Sequence, residues 1–167
     1  MDLNKIKQEI SNWVKDYLDV PNEYYNGLKP CPFAHKAWFG DKTKTILGDK
    51  QTVLENVTFF DRSKDLAIIV YDPKIEKDMD KWAESLNKAI EFTDLYLIVF
   101  NPEDEPDDPR LHEEAYESVV DYAYGAVFIQ PLSELKKASN LLNRQGYYKN
   151  LSTQFMSYVN KRNNNNG

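Results

Sequence analysis

The chain has 167 residues, of which 41% are hydrophobic, 13% aromatic and 29% charged, and its net charge is −6. That is enough chain for one well-filled core and too little for two, and the aromatic content excludes a disordered chain. No apolar run approaches the roughly 20 residues of a membrane-spanning helix, and an acidic chain is repelled by a phosphate backbone, so a membrane and nucleic acid are both disfavoured as partners.

Leu3, Ile6, Ile10, Trp13, Val14 and Tyr17 recur at helical spacing and predict an amphipathic helix over residues 3–19. An irregular loop over 19–32 follows, holding Pro21, Asn22, Asn26, Gly27, Pro30 and Pro32; a loop of this length is often functional. A short helical turn over 33–39 should stop at Gly40. Residues 43–47 and 52–60 are β-rich and read as a hairpin around Gly48 and Asp49. Residues 66–71 (LAIIVY) make an almost unbroken apolar run, the mark of a strand buried on both faces. Asp72 and Pro73 then read as N-cap and first residue of a helix whose apolar face carries Ile75, Met79, Trp82 and Leu86.

Residues 95–100 (LYLIVF) are a second buried strand, and 126–130 (AVFIQ) a third. Between them Asp108 and Pro109 repeat the capping signal, for a helix carrying Leu111, Ala115, Val119 and Tyr122 and ending at Gly125. Two C-terminal helices follow, one on Leu132, Leu135, Ala138 and Leu142, the other on Tyr148, Leu151, Phe155 and Tyr158. Strand, helix, strand, helix, strand predicts two successive crossovers between parallel neighbours. The expected fold class is therefore α/β: a mixed, mainly parallel sheet with a β-α-β-α-β core over 66–130, an N-terminal helix and hairpin, and C-terminal helices. Residues 1–162 should form one domain and 163–167 a disordered polar tail.

Charge is unevenly placed. Residues 51–130 hold 7 basic and 19 acidic groups, whereas 131–167 hold 6 basic and 1 acidic. The start, MDLNKIKQEI, has no apolar signal core, and the single cysteine has no internal partner; both lead to the expectation of a cytoplasmic protein.

The most distinctive stretch is residues 26–35, NGLKPCPFAH. With Pro32 as first helical residue, Cys31 would be an N-cap, and the positive helix end would favour a thiolate. His35 lies four residues on, the spacing that brings side chains onto one helical face. The pair can be read as nucleophile and base, as two metal ligands, or as a structural cysteine in a proline-stiffened loop with no chemistry. His112, the only other histidine, falls where ligands of open α/β sheets collect, beside Asn101 at the end of the second buried strand. Residues 101–109 (NPEDEPDDP) carry five carboxylates but lack the EF-hand pattern and its glycine. Neither phosphate-loop motif occurs, nor GxSxG, HExxH or CxxC. Tyr148 and Lys149 open an interleaving of aromatic and basic residues that could serve binding, although its helical spacing also fits core packing.

The segment GLKPCPFAHKAW resembles the opening motif of a family of small bacterial proteins with a GLNLCPFA-type segment, matched here by Cys31, Pro32, Phe33 and Ala34. The resemblance implies the same strand–helix order over 66–130 and no particular activity. Where that family follows its later strands with His-Pro, this chain has Asn101-Pro102 and Gln130-Pro131. The functional expectation is a binding or accessory protein for an unknown protein or small-molecule partner, with Asn101, His112, Tyr148 and Lys149 as binding candidates and no assigned metal ligands or cofactor. The alternative is a thiol-dependent enzyme or redox-sensitive protein centred on Cys31 and His35, with or without a metal.

Overall fold

The computed structural model describes residues 1–101 and 123–164. Asp2 caps the first helix, α1 (Leu3–Trp13), by accepting from Asn4 N at 2.9 Å. The helix widens into a π-helical turn over Val14–Leu18. Ile6, Ile10, Val14 and Tyr17 form its buried stripe, so the expected helix is present with an irregular last turn. After the loop comes α2 (Ala34–Phe39), ended by Gly40, and then the strand β1 (Thr43–Leu47).

Residues 52–60, expected as the second arm of a hairpin, are instead mostly helical: α3 spans Lys50–Thr58. Asp49 is its N-cap, accepting from Thr52 N at 2.9 Å and from Thr52 Oγ1 at 3.0 Å. That cap, and the i, i+4 pair Val53 and Val57 packed on the sheet, outweigh the β preference of the branched side chains. A second correction concerns Asp72 and Pro73. Asp72 accepts from Lys74 N at 2.9 Å and closes a turn; the helix that follows, α4, begins only at Met79 and runs to Ala89. Ile75, expected on the apolar face, is consequently exposed.

Among the described residues four strands form one sheet in the order β1-β2-β4-β3, with β2 at Leu66–Tyr71, β3 at Tyr96–Phe100 and β4 at Gly125–Gln130. The α/β class and the mixed sheet agree with expectation, and β1, β2 and β3 run in one direction. The succession of two parallel crossovers does not hold. β4 lies between β2 and β3 and runs against both, leaving β1 and β2 as the parallel pair. The central places go to β2 and β4, which are apolar toward both faces, as central strands must be.

Side chains alternate across β2. Ala67, Ile69 and Tyr71 face α3 and α4, joined by Val127 and Ile129 of β4 and Leu97 of β3. Ile68 and Val70 face α1, joined by Ala126 and partly by Phe128 and Phe100. Gly125, expected to end a helix, opens β4 opposite Tyr71, and a Cβ there would sit 2.2 Å from the tyrosine ring. Two helices complete the described chain, α5 (Leu132–Arg144) and α6 (Thr153–Asn164). The N-terminus of α5 is capped from another segment, since Asp94 accepts from Ser133 N at 2.7 Å and Ser133 Oγ at 2.6 Å. Helix α6 reaches Asn164, so the expected disordered tail is helical at its first two residues. The expected helix on Leu111 to Tyr122, with His112 and most of the acidic 101–109 stretch, lies outside the described residues.

Candidate functional site

The loop after α1 is shaped by its polar residues. Asn22 caps a short 3-10 turn over Glu23–Tyr25 by accepting from Tyr24 N at 2.9 Å. Asn26 and Gly27 then take left-handed backbone angles, φ 59 and 74, which reverse the chain at residues that tolerate them. The reversal sets Asn22 beside Leu28 and brings Cys31 N within 3.2 Å of Leu18 O.

Cys31 does not cap a helix starting at Pro32. Pro32 and Phe33 form a turn in which Ala34 N donates to Cys31 O at 3.1 Å, and α2 starts at Ala34. The residue is half-buried and forms no disulfide. Burial pushes the thiol pKa above its usual value, and the Phe33 and Ala34 backbone N–H groups offset this only in part. The expected thiolate is therefore disfavoured.

His35 turns elsewhere. Its Nδ1 lies 3.2 Å from Asp19 Oδ2, while Lys29 Nζ sits 2.6 Å from Asp19 Oδ1. The Lys29 hydrogen bond, followed by the Lys29 charge and then by His35, holds the Asp19 carboxyl below its usual range against the opposing effect of burial. The imidazole also packs on Phe39 with ring centroids 4.8 Å apart. Because Cys31 precedes α2 rather than belonging to it, the four-residue spacing does not stack the two side chains. Among the described residues no hydrogen bond joins Cys31 to His35, and no group of three His, Cys, Asp or Glu side chains could hold a metal. An orienting carboxylate and an imidazole are present, but they are not aimed at the thiol.

The described binding candidates sit on different segments of the chain. Tyr148 packs edge-on against Tyr147 at 4.9 Å and lies 6.4 Å from the Phe155 ring, as a packing residue of the C-terminal turn. Lys149 beside it is exposed. Asn101 directly follows β3, and His112 is outside the described residues.

A second site lies at the edge of the sheet and was not legible in the sequence. Between α4, β3 and α6 runs a cleft of about 350 Å³. Its floor is β3 at Leu97 and Val99, and its walls carry Glu84, Asn87 and Lys88 from α4 with Tyr158 and Lys161 from α6. Asn87 gives the floor its form: its Nδ2 donates to Leu97 O at 2.9 Å and its Oδ1 accepts from Leu97 N at 2.8 Å. The amide thus takes the place of a neighbouring strand at that residue, blunting the sheet edge. Glu84 Oε1 lies 3.6 Å from Lys88 Nζ and 3.4 Å from Lys161 Nζ, and the two lysines, Lys161 first, hold its carboxyl below the usual range. Of this arrangement only the i, i+4 pair of Glu84 and Lys88 could be read along the chain.

Comparison with protein-family models, with curated proteins and with solved structures gave no match.

Proposed function

We propose that the chain is a binding protein that takes a small ligand into the α4–β3–α6 cleft. The observation carrying this reading is the cleft itself, whose volume of about 350 Å³ falls in the range of small-molecule sites. It combines an apolar floor, the half-exposed Tyr158 ring, and charges of both signs. A ligand with an apolar or aromatic part and a charged group meets those surfaces. The thiol whose ionisation burial disfavours and the imidazole turned to Asp19 favour binding over thiol catalysis. The Cys31–Ala34 motif then serves to seat the loop, and an unpaired single cysteine suits the reducing cytoplasm.

The test is a small-molecule screen read by amide and side-chain NMR shifts. Ligands should perturb Asn87, Tyr158 and Lys161, and Tyr158→Ala should weaken them. Ligands that map elsewhere would refute the assignment. Rapid iodoacetamide labelling of Cys31 at pH 7, slowed by His35→Ala, would instead establish the thiol-dependent activity.

A further inference from the structure

One pair of hydrogen bonds fixes the direction of every backbone group along β3. Leu97 turns both its N–H and its C=O to Asn87, away from β4. In an antiparallel pair, residues that bond to the partner strand alternate with residues that point the other way, and β3 pairs with β4 in unbroken register over Tyr96–Phe100. Tyr96, Ile98 and Phe100 therefore bond to β4, whereas Leu97 and Val99 direct both backbone groups out at the sheet edge. Among the described residues β3 has no neighbouring strand on that side, and no side chain takes for Val99 the place that Asn87 takes for Leu97.

Val99 lines the α4–β3–α6 cleft. A donor and an acceptor side by side at a ligand site select a group with the complementary pair, because a polar group left unpaired on binding loses its water without replacement. Asn87 shows which group fits: a primary carboxamide closes both bonds to a single strand residue, at 2.9 and 2.8 Å. A carboxylate has acceptors alone and sets one of them against the Val99 carbonyl. Charge does not draw it in either, since Asp80 and Glu84 balance Lys88 and Lys161 around the cleft. An added peptide strand fits poorly as well. It pairs along a row of outward residues, and Leu97, the other one in β3, is already held by Asn87.

We infer that the ligand of the cleft carries a primary carboxamide beside its apolar part, and that this group pairs with Val99 as Asn87 pairs with Leu97. The inference rests on the reading of the cleft as a ligand site and adds the chemical class that the site selects. The Val99 N–H donates to the amide oxygen, and the Val99 carbonyl accepts from the amide NH2. The site thereby prefers an amide to the matching acid.

The experiment titrates the whole chain at pH 7 with phenylacetamide and with phenylacetate, which differ in that one group, and reads NMR shifts. Phenylacetamide should shift Tyr158 and Lys161, move the Val99 amide proton downfield, and bind about ten-fold tighter than phenylacetate, the effect of one mismatched hydrogen bond. Val99→Pro removes the donor at an edge position where proline is tolerated, and it should weaken phenylacetamide by a similar factor. If that variant fails to fold, the two probes on the wild type still decide. Equal binding of the probes, or shifts at Tyr158 and Lys161 with Val99 unmoved, would overturn the carboxamide assignment and leave the cleft reading intact. An absence of shifts from both probes would also overturn it, with the cleft reading then judged by the wider screen. A tetra-alanine peptide with acetyl and methylamide ends that shifts Val99 more than phenylacetamide does would overturn it in favour of strand addition. Shifts from phenylacetamide confined to residues outside the cleft would count against both readings.

Discussion

Asn87 gives the sharpest handle on how this sheet is finished. Its amide spans Leu97, donating to the carbonyl at 2.9 Å and accepting from the amide at 2.8 Å, where a fifth strand would otherwise pair. Asn87→Ala removes both bonds. At about 1 kcal/mol each, the loss is about 2 kcal/mol, limited by water entering the open cleft to reach the orphaned groups. Asn87→Asp is more informative. The aspartate keeps an acceptor for Leu97 N but sets a second acceptor against Leu97 O. Ionised, it should destabilise by at least as much as alanine.

Protonated, the same carboxyl can donate to Leu97 O and restore both bonds, so its folded pKa must rise above the unfolded value near 3.9. The recovered stability is then fully present below that unfolded value and is lost as pH rises through the folded one. Urea melts of wild type and both variants at pH 7 and near pH 3.5 read this directly. An Asn87→Ala loss below about 0.5 kcal/mol, under the range of one hydrogen bond, would refute the bridging role. So would an Asn87→Asp deficit that does not narrow in acid.

Three further outcomes are expected. Gly125→Ala drives a Cβ to 2.2 Å from the fully buried Tyr71 ring, and urea melts should show a loss of about 1–3 kcal/mol; a neutral effect would mean the strand shifts freely. Asp94→Ala removes the cap that α5 borrows from the segment before β3 and should cost about 0.5–2 kcal/mol by thermal unfolding. In carboxyl NMR titrations Asp19 should ionise below the usual range, so its ion pairs stabilise the fold above the unfolded pKa and are lost as pH falls through the folded one. Lys29→Ala should move that midpoint upward, and an unmoved midpoint would contradict Lys29 as the leading cause.

Where local pattern and burial coincide, reading along the chain succeeded. The stripe of Ile6, Ile10, Val14 and Tyr17 and the run at Leu66–Tyr71 bury as their spacing requires, because a helical face or an apolar strand has few other ways to leave water. Local signals failed where two of them competed. The branched residues of α3 favour a strand in isolation, yet the Asp49 cap and a sheet face ready to receive Val53 and Val57 decide for a helix. Asp72 and Pro73 signal a turn as well as a helix start, and here the turn prevails.

Only the tertiary structure decided strand order and with it the sites. Periodicity marks β2, β3 and β4 as apolar but contains nothing about which strands meet, so the entry of β4 between β2 and β3 was not readable. That order leaves β3 at an edge, and the edge creates the cleft joining Glu84 to Lys161, residues far apart in the chain. The Cys31 loop was conspicuous in the sequence from its prolines and its lone thiol. The acidity of that thiol depends on its burial, which the Phe33 and Ala34 N–H groups offset only in part. Desolvation, which sets the thiol's acidity, is a property of everything packed around it, and no local pattern of residues records what will be packed there.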